Sequence, residues 1–351
     1  DRGSRVRREE LPHLLRGFGI NNCAIMNSWG NIFRLTIWGE SHGAEVGVSI
    51  DGVPAGIALS EEDFVADLDR RRAGAAGTTT RKESDQPHIV SGLYNGHTTG
   101  SPLTITFRNE NTRSGDYSNL VRQPRPSHAD WVAQKKWDGF NDPRGGGHFS
   151  GRITLGMVVA GVVAKKILGD TVSFSTEITE IGGEHNKDNF AAVIENARMD
   201  QDSVGGVVEC RVDGVEPGLG EPFFDSAESL MAHLLFSVPA VKGVEFGSGF
   251  EGVKLRGSER NDCFVDGDGH TASNNEGGIN GGITNGNDLV VRVAIKPTAS
   301  ISREQMTYNK ELGAVAPLCI KGRHDACIVL RASVVVESVV AIALAELKMQ
   351  N

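Results

Sequence analysis

Ile153-Thr154-Leu155-Gly156-Met157-Val158-Val159-Ala160-Gly161-Val162-Val163-Ala164-Lys165-Lys166-Ile167-Leu168 is the stretch on which the fold turns. No charge interrupts it before Lys165-Lys166, and Gly169 stands where a helix would stop. A helix this apolar all round belongs inside a core. Outward from it, strands are expected at Phe33–Trp38, Val46–Ile50, Leu103–Phe107, Val172–Ile178, Gly206–Val212 and Leu289–Ile295. Ser60-Glu61-Glu62-Asp63 resembles a capping box, with Leu59 as a staple and Phe64 and Leu68 at helical spacing up to Arg72-Ala73-Gly74. Further helices are expected at Asp188–Arg198, Ser226–Leu235 and Ala332–Lys348. The order is not a clean βαβ alternation, which disfavours a doubly wound parallel sheet. With no solenoid-period repeat and no Pro- or Ser-rich linker, the expectation is mixed α/β with one core and one domain.

The 351 residues carry a net charge of −9, which argues against a general binder of nucleic acid or membrane surfaces. A local arginine cluster can still hold a small anion. The five cysteines, Cys23, Cys210, Cys263, Cys319 and Cys327, form no Cys-x-x-Cys pair and are odd in number. Neither a zinc site nor a disulfide framework is expected, and free thiols fit a reducing, cytoplasmic setting. No run approaches the ~18 apolar residues of a membrane span, and no secretory apolar region stands at the start. Residues 1–25 read as a leader, an upstream translation or a cloning scar, with the domain proper over 26–351.

Several segments combine turn formers with titratable groups. Gly39-Glu40-Ser41-His42-Gly43 matches the Gly-x-Ser-x-Gly pattern of a serine-hydrolase elbow. An elbow needs a helix next, whereas Ala44–Ile50 alternates like a strand. The competing readings are a hairpin turn and a proton-transferring His42. Asp69-Arg70-Arg71-Arg72 is either a solvated helix end or a carboxylate- or phosphate-binding fork, with Arg81-Lys82 adding positive field. Arg125-Pro126-Ser127-His128-Ala129-Asp130 sets a cation, a hydroxyl, an imidazole and a carboxylate in one short loop; its plain reading is a turn with a satisfied histidine. Arg144-Gly145-Gly146-Gly147-His148-Phe149-Ser150-Gly151-Arg152 exposes backbone amides before the buried helix but is neither a Walker loop nor a dinucleotide fingerprint. Gly277–Gly286 reads as a surface hairpin or a ligand loop, and Lys296-Pro297-Thr298-Ala299-Ser300 as a strand end or a phosphate-tail site. Asp266-Gly267-Asp268-Gly269 lacks the later glutamate of a calcium loop, and no metal site is expected.

These motifs, in this order, resemble the chorismate synthase family from about Asn31 to the C-terminus. The resemblance is carried by Asn31–Arg34, Asp51-Gly52-Val53-Pro54, Asp69–Arg72, Arg125–Asp130, Glu216–Pro222, Ala240–Glu245 and Lys321–Asp325. It implies a carbon–oxygen lyase of the shikimate pathway, converting 5-enolpyruvylshikimate 3-phosphate to chorismate and phosphate with reduced FMN and no net redox change. It implies two antiparallel sheets enclosing a helical layer, an α+β fold in a homotetramer, with 153–168 and the C-terminal helix as candidates for that layer. Carried over by motif, His42 would protonate the departing phosphate, His128 would serve the reduced flavin, and Asp325 would help remove the proton from flavin N5. Arg71, Arg152 and Arg323 would bind substrate or flavin. FMN contacts would fall on His148, Phe149 and Ser150, on Pro239 and Ala240, on Gly281, on Lys296, Pro297, Thr298, Ala299 and Ser300, and on Arg323.

This chain departs from the family pattern at four places. His148 and Phe149 stand where many members have arginine and a small residue, and Ile153 where glutamate is common. The second substrate arginine of the family falls at Gly77, and Arg81 is the nearby candidate to replace it. With no dinucleotide fingerprint, NADPH enters only as a reductant of the flavin, and external supply of reduced flavin is favoured. The alternatives are a serine hydrolase on Ser41 and a non-catalytic flavin- or phosphate-binding relative.

Overall fold

The computed structural model describes residues 27–72, 74, 77–78, 83–111, 119–320 and 324–351. The leader reading of 1–25 and the roles expected of Arg81 and Arg323 lie outside these residues. The chain begins with β1 (Ser28–Trp29), β2 (Arg34–Gly39) and β3 (Glu45–Asp51), then α1 (Val65–Arg71), β4 (His88–Ser91) and β5 (Leu103–Arg108). The five strands form one antiparallel sheet in the order β1-β2-β3-β5-β4. Asp63 accepts a 2.7 Å bond from the Ser60 amide at the start of the turn that leads into α1, and Leu59 is buried beside it, as the capping pattern implied.

After a short α2 (Asp130–Lys136) comes α3 (Leu155–Leu168), the apolar helix that opened the sequence reading. Then follow β6 (Ser173–Ile181), α4 (Phe190–Met199), β7 (Gly206–Asp213), α5 (Ala227–Ser237), β8 (Val241–Phe246) and β9 (Leu289–Ile295). A second antiparallel sheet has the order β8-β9-β7-β6. A hairpin of β10 (Gln305–Asn309) and β11 (Ala314–Leu318) precedes the long α6 (Val329–Gln350).

α3 packs on α6; α3 also meets β3 of the first sheet, and α6 meets β6 and β7 of the second. The helices are therefore the filling between two sheets, and the expected α+β architecture is the one observed. Both central helices are apolar all round because each has a sheet on one side and helices on the others. Gly161 sets the closest approach: a Cβ there would lie 2.3 Å from Ser338 Cβ on α6. Glu346, 1% exposed near the end of α6, accepts the amides of Asn31, Ile32 and Phe33, which locks the start of the first sheet to the last helix. Among the described residues, no helix is long and apolar enough to cross a membrane.

Candidate active site

The functional segments sit where the loops of both sheets meet the ends of the helices. The hairpin between β2 and β3 carries Ser41 and His42. Because Glu45–Asp51 follows as a strand, the helix required by a hydrolase elbow is missing, and Ser41 is only 1% exposed. The hairpin is tied to the triple-glycine loop by Ser41 N–H donating to the Gly147 carbonyl at 3.1 Å. Gly145, Gly146 and Gly147 all have left-handed φ. A Cβ on Gly145 would fall 2.5 Å from His42 Nε2, so His42 packs directly behind this glycine.

A cavity of about 420 Å³ opens beside Gly145. One end is cationic. Arg71, at the end of α1, is 3% exposed; its Nε bonds Thr154 Oγ1 at 3.0 Å and Nη2 bonds the Gly151 carbonyl at 2.6 Å. Its Nη1 is buried with no hydrogen-bond partner among the described residues and lies 3.7 Å from Asp85. Arg152 makes one bond from each nitrogen in the wall, with Nη1 on Asp85 at 2.6 Å, Nη2 on the Arg108 carbonyl at 2.9 Å, and Nε on Asn109 Oδ1. Arg331, in the first turn of α6, bonds Asp325 at 3.1 Å and the Arg71 carbonyl at 2.9 Å.

Burial and the like charges of Arg331 and Arg152 push the Arg71 guanidinium down, with Asp85 and Asp325 opposing. Burial would raise the Asp85 carboxyl, but Arg71, Arg152 and Arg331 together hold it below the ordinary range. The cluster thus holds more positive charge than its two carboxylates can neutralise. A buried cation with an unspent donor is a site for an anion.

The chamber is also lined by the apolar Phe149, Val238, Pro239, Ala240, Ile328 and Val335. Phe149 is backed by Trp137, with ring centroids 5.7 Å apart. Ser127, His128 and the segment Lys296–Ser300 line it as well. Lys296 donates to the Ser127 carbonyl at 2.7 Å, and burial together with Lys242 pushes its ammonium down. His128 Nδ1 is 2.7 Å from Asp130 Oδ1 and 3.0 Å from Arg125 Nη2. Arg125 grips both oxygens of Asp130, at 2.6 and 2.7 Å, and bonds Ser300 Oγ at 2.8 Å.

Of the residues singled out from sequence, Arg71, Arg152, His128, Asp325, Phe149, Ser150, Pro239, Ala240 and Lys296–Ser300 line one chamber. His42 stands behind Gly145 rather than on the wall. His148 does not line the chamber; its ring spans the Gly39 carbonyl at 2.8 Å and Asn27 Oδ1 at 3.0 Å. Gly281 lies in the Ile279–Thr284 hairpin beside the start of α5, one helix length from Ala240 at its other end. Ile153 is a core residue, and Gly77 packs against Ile194, where a Cβ would fall 2.2 Å from Cγ2. Asp85 and Arg331 were not anticipated. Asp85 has no local pattern to mark it, but Arg331 has one: a cation near a helix N-terminus opposes the dipole and calls for a nearby anion.

The fold and the chamber are those of a protein built to take a small anionic molecule. A family model described as chorismate synthase matches residues 33–349. A chorismate synthase of Chitinophaga pinensis is 57% identical over 321 residues, covering 92% of this chain and 96% of that protein. One from Korarchaeum cryptofilum is 46% identical over 346 residues, covering 91% and 96%. A solved crystal structure of a chorismate synthase matches with a TM-score of 0.69 at 27% identity, covering 92% of this chain and 93% of the other. The chain belongs to the chorismate synthase family, and its class of activity is that of a lyase. The serine-hydrolase alternative lacks the elbow, since a strand follows Gly43.

Proposed function

We propose that this chain catalyses the 1,4-anti elimination of phosphate from 5-enolpyruvylshikimate 3-phosphate, giving chorismate, with reduced FMN in the same chamber. The observation that carries this reading is the buried Arg71 Nη1, without a hydrogen-bond partner among the described residues, set in a cationic cluster that lines a chamber together with apolar, aromatic-backed side chains. A substrate with two carboxylates and a phosphate suits the cationic end. A planar ring with a phosphate tail suits Phe149, Pro239 and Ala240 together with the hydroxyls and cation of Lys296–Ser300, and the volume is of ligand size. Held by Phe149, Pro239, Ala240 and Lys296–Ser300, a reduced flavin would supply electron density for phosphate departure and a nitrogen able to receive the C6 hydrogen.

The protein binds, orients and handles protons. Arg71, with Arg323 and Arg81 as further candidates, holds the anionic groups; Arg152 acts through Asp85, because each of its nitrogens already makes one bond in the wall. His128 keeps a proton available beside the ring site, and Asp325, aimed by Arg331, accepts one at its carboxylate. His42 delivers a proton to the leaving phosphate across the side-chain-free face of Gly145. Gly281, remote from this chamber, serves the flavin site of a neighbouring copy in a homotetramer. The enzyme works in the cytoplasm and takes its reduced flavin from an external source.

The test is an anaerobic assay with 5-enolpyruvylshikimate 3-phosphate and chemically reduced FMN, following chorismate absorbance and phosphate release together. Equal amounts of both products are expected, and none with oxidised FMN, with or without NADPH. Flavin binding without product would instead identify a binding-only relative.

A further inference from the structure

The described partners of His128 fix which of its nitrogens can reach a ligand. The loop Arg125–Asp130 folds back on itself: the Asp130 carboxylate accepts the Arg125 backbone amide at 3.1 Å as well as two guanidinium bonds. Ser127 reaches a left-handed φ of 58° to make this turn, with Pro126 before it. The side chains of Arg125 and Asp130 are 3% and 7% exposed, so this is a buried ion pair. Burial would raise the Asp130 carboxyl, but bonds from Arg125 and His128 outweigh it and keep the group well below the usual carboxylate range. Asp130 is therefore an anion at any working pH. A buried ion pair is a costly way to hold a loop, since apolar packing of similar volume commonly does as well. The feature it provides here is a fixed acceptor 2.7 Å from His128 Nδ1.

We propose that Asp130 is the positioning residue of His128: it takes the Nδ1 proton, so that Nε2 is the nitrogen presented to the bound ligand. Nε2 and Cε1 lie beside Gly146, 3.7 Å from where a Cβ would be, and this glycine leaves the space open at a left-handed φ of 83°. Arg125 Nη2, at 3.0 Å, stands ready to donate should Nδ1 lose its proton. The ring is thus held in one plane while Nε2 gains or releases its proton. Arg125 is in turn anchored by Ser300, so the flavin-side segment and the histidine are set in one frame. The other charged groups near the ring are Lys296, held on the Ser127 carbonyl, and Asp142, occupied by Arg144. Neither contacts Nδ1 among the described residues.

This inference rests on His128 exchanging a proton during turnover, and its test separates the two claims. The full chain is labelled with 15N-histidine, and the imidazole nitrogens of the wild type, Asp130→Asn and Asp130→Glu are read by NMR. The neutral wild-type ring is expected to carry its proton on Nδ1. Asp130→Asn is expected to shift the ring to the Nε2–H tautomer, with Nδ1 accepting from Arg125. In turnover, kcat of Asp130→Asn should fall about 10- to 100-fold, with substrate KM and the FMN dissociation constant changed by less than about 3-fold. Asp130→Glu should recover part of the loss. A wild-type Nε2–H tautomer, or an Nδ1–H that survives Asp130→Asn, overturns the proposal, and the wild-type spectrum decides alone if the variant does not fold. Absence of turnover in the wild type would strike the functional reading and leave the tautomer test standing.

Discussion

Arg71, Arg70 and Arg72 are neighbours in sequence and have three different tasks. Arg70 turns to Glu337 on α6, at 2.6 and 2.7 Å. Arg72 turns back to Asp69 and the Ser84 carbonyl. Arg71 enters the chamber with one nitrogen unspent, and Arg72, held by those two partners, also lines it. Successive helical residues point about 100° apart, which sends neighbouring side chains to different partners. The sequence left the run as an anion site or a solvated helix end; Arg70 instead pairs with the buried Glu337, and Arg71 is the one the proposed function uses. Arg71→Ala is expected to raise the substrate KM by roughly 10- to 150-fold, equivalent to about 1.5–3 kcal/mol for charge-assisted bonds. It should also abolish the rise in melting temperature expected of the wild type with saturating substrate. Thermal unfolding with and without ligand, beside steady-state kinetics, checks both. A variant that keeps its ligand-induced shift would remove Arg71 from the binding set.

At the scale of elements, the regular secondary structure was legible and the site loops were only half so. Leu289–Ile295 was anticipated to the residue, and α3 and α6 to within a few residues, because continuous apolar runs or strict periodicity announce them. α2, β8 and the β10–β11 hairpin were missed. Trp131 and Val132 on α2 are half exposed, and β8 mixes Lys242, Gly243 and Glu245 into its six residues, so neither shows a clean period. Motif order grouped His128, Asp325, Arg71 and Arg152, which line one chamber, but no local pattern could show that His148 lies off the wall or that Gly281 is remote. The α3–α6 crossing was likewise invisible, since Gly161 reads as one small residue among several. Its hydrogen faces Ser338 Cα, which would be 2.6 Å from an added Cβ. Gly161→Ala is expected to destabilise the protein by about 1–3 kcal/mol, because Ser338 Cβ and Cα are fixed by the α6 backbone and cannot swing aside. The gain in helix propensity, about 1 kcal/mol, offsets only part of the clash. The urea midpoint should fall with an unchanged slope. A midpoint at or above that of the wild type would show that the helices separate without cost.

At the scale of the whole molecule, one charge network spans the helical layer. Glu337 on α6 is 3% exposed and bonds Arg70 at the end of α1 and Lys165 at the end of α3, the latter at 2.6 Å. Lys165 and Arg70 both also reach Asp67. Burial would raise the Glu337 carboxyl, but Arg70 and Lys165 outweigh it and bring it from 4.5 down to about 2. The folded state therefore binds this proton more weakly than the unfolded chain does. The resulting stability is fully present above pH 4.5 and is lost as pH falls towards 2. Arg70 is 40% exposed, so solvent screens part of the attraction, and the contribution is on the order of 2 kcal/mol. Glu337→Gln should lower stability at neutral pH and flatten its decline between pH 4.5 and 2, because the amide has no proton to take up. Urea unfolding at pH 7, 4.5 and 3 measures this, within the range where the wild type stays folded. If wild type and variant decline in parallel through that window, acid sensitivity belongs to other carboxylates, with Asp130 and Asp85 in the chamber the next to test. If the variant alone is flat, the network that joins the three helices is also what makes the fold yield to acid.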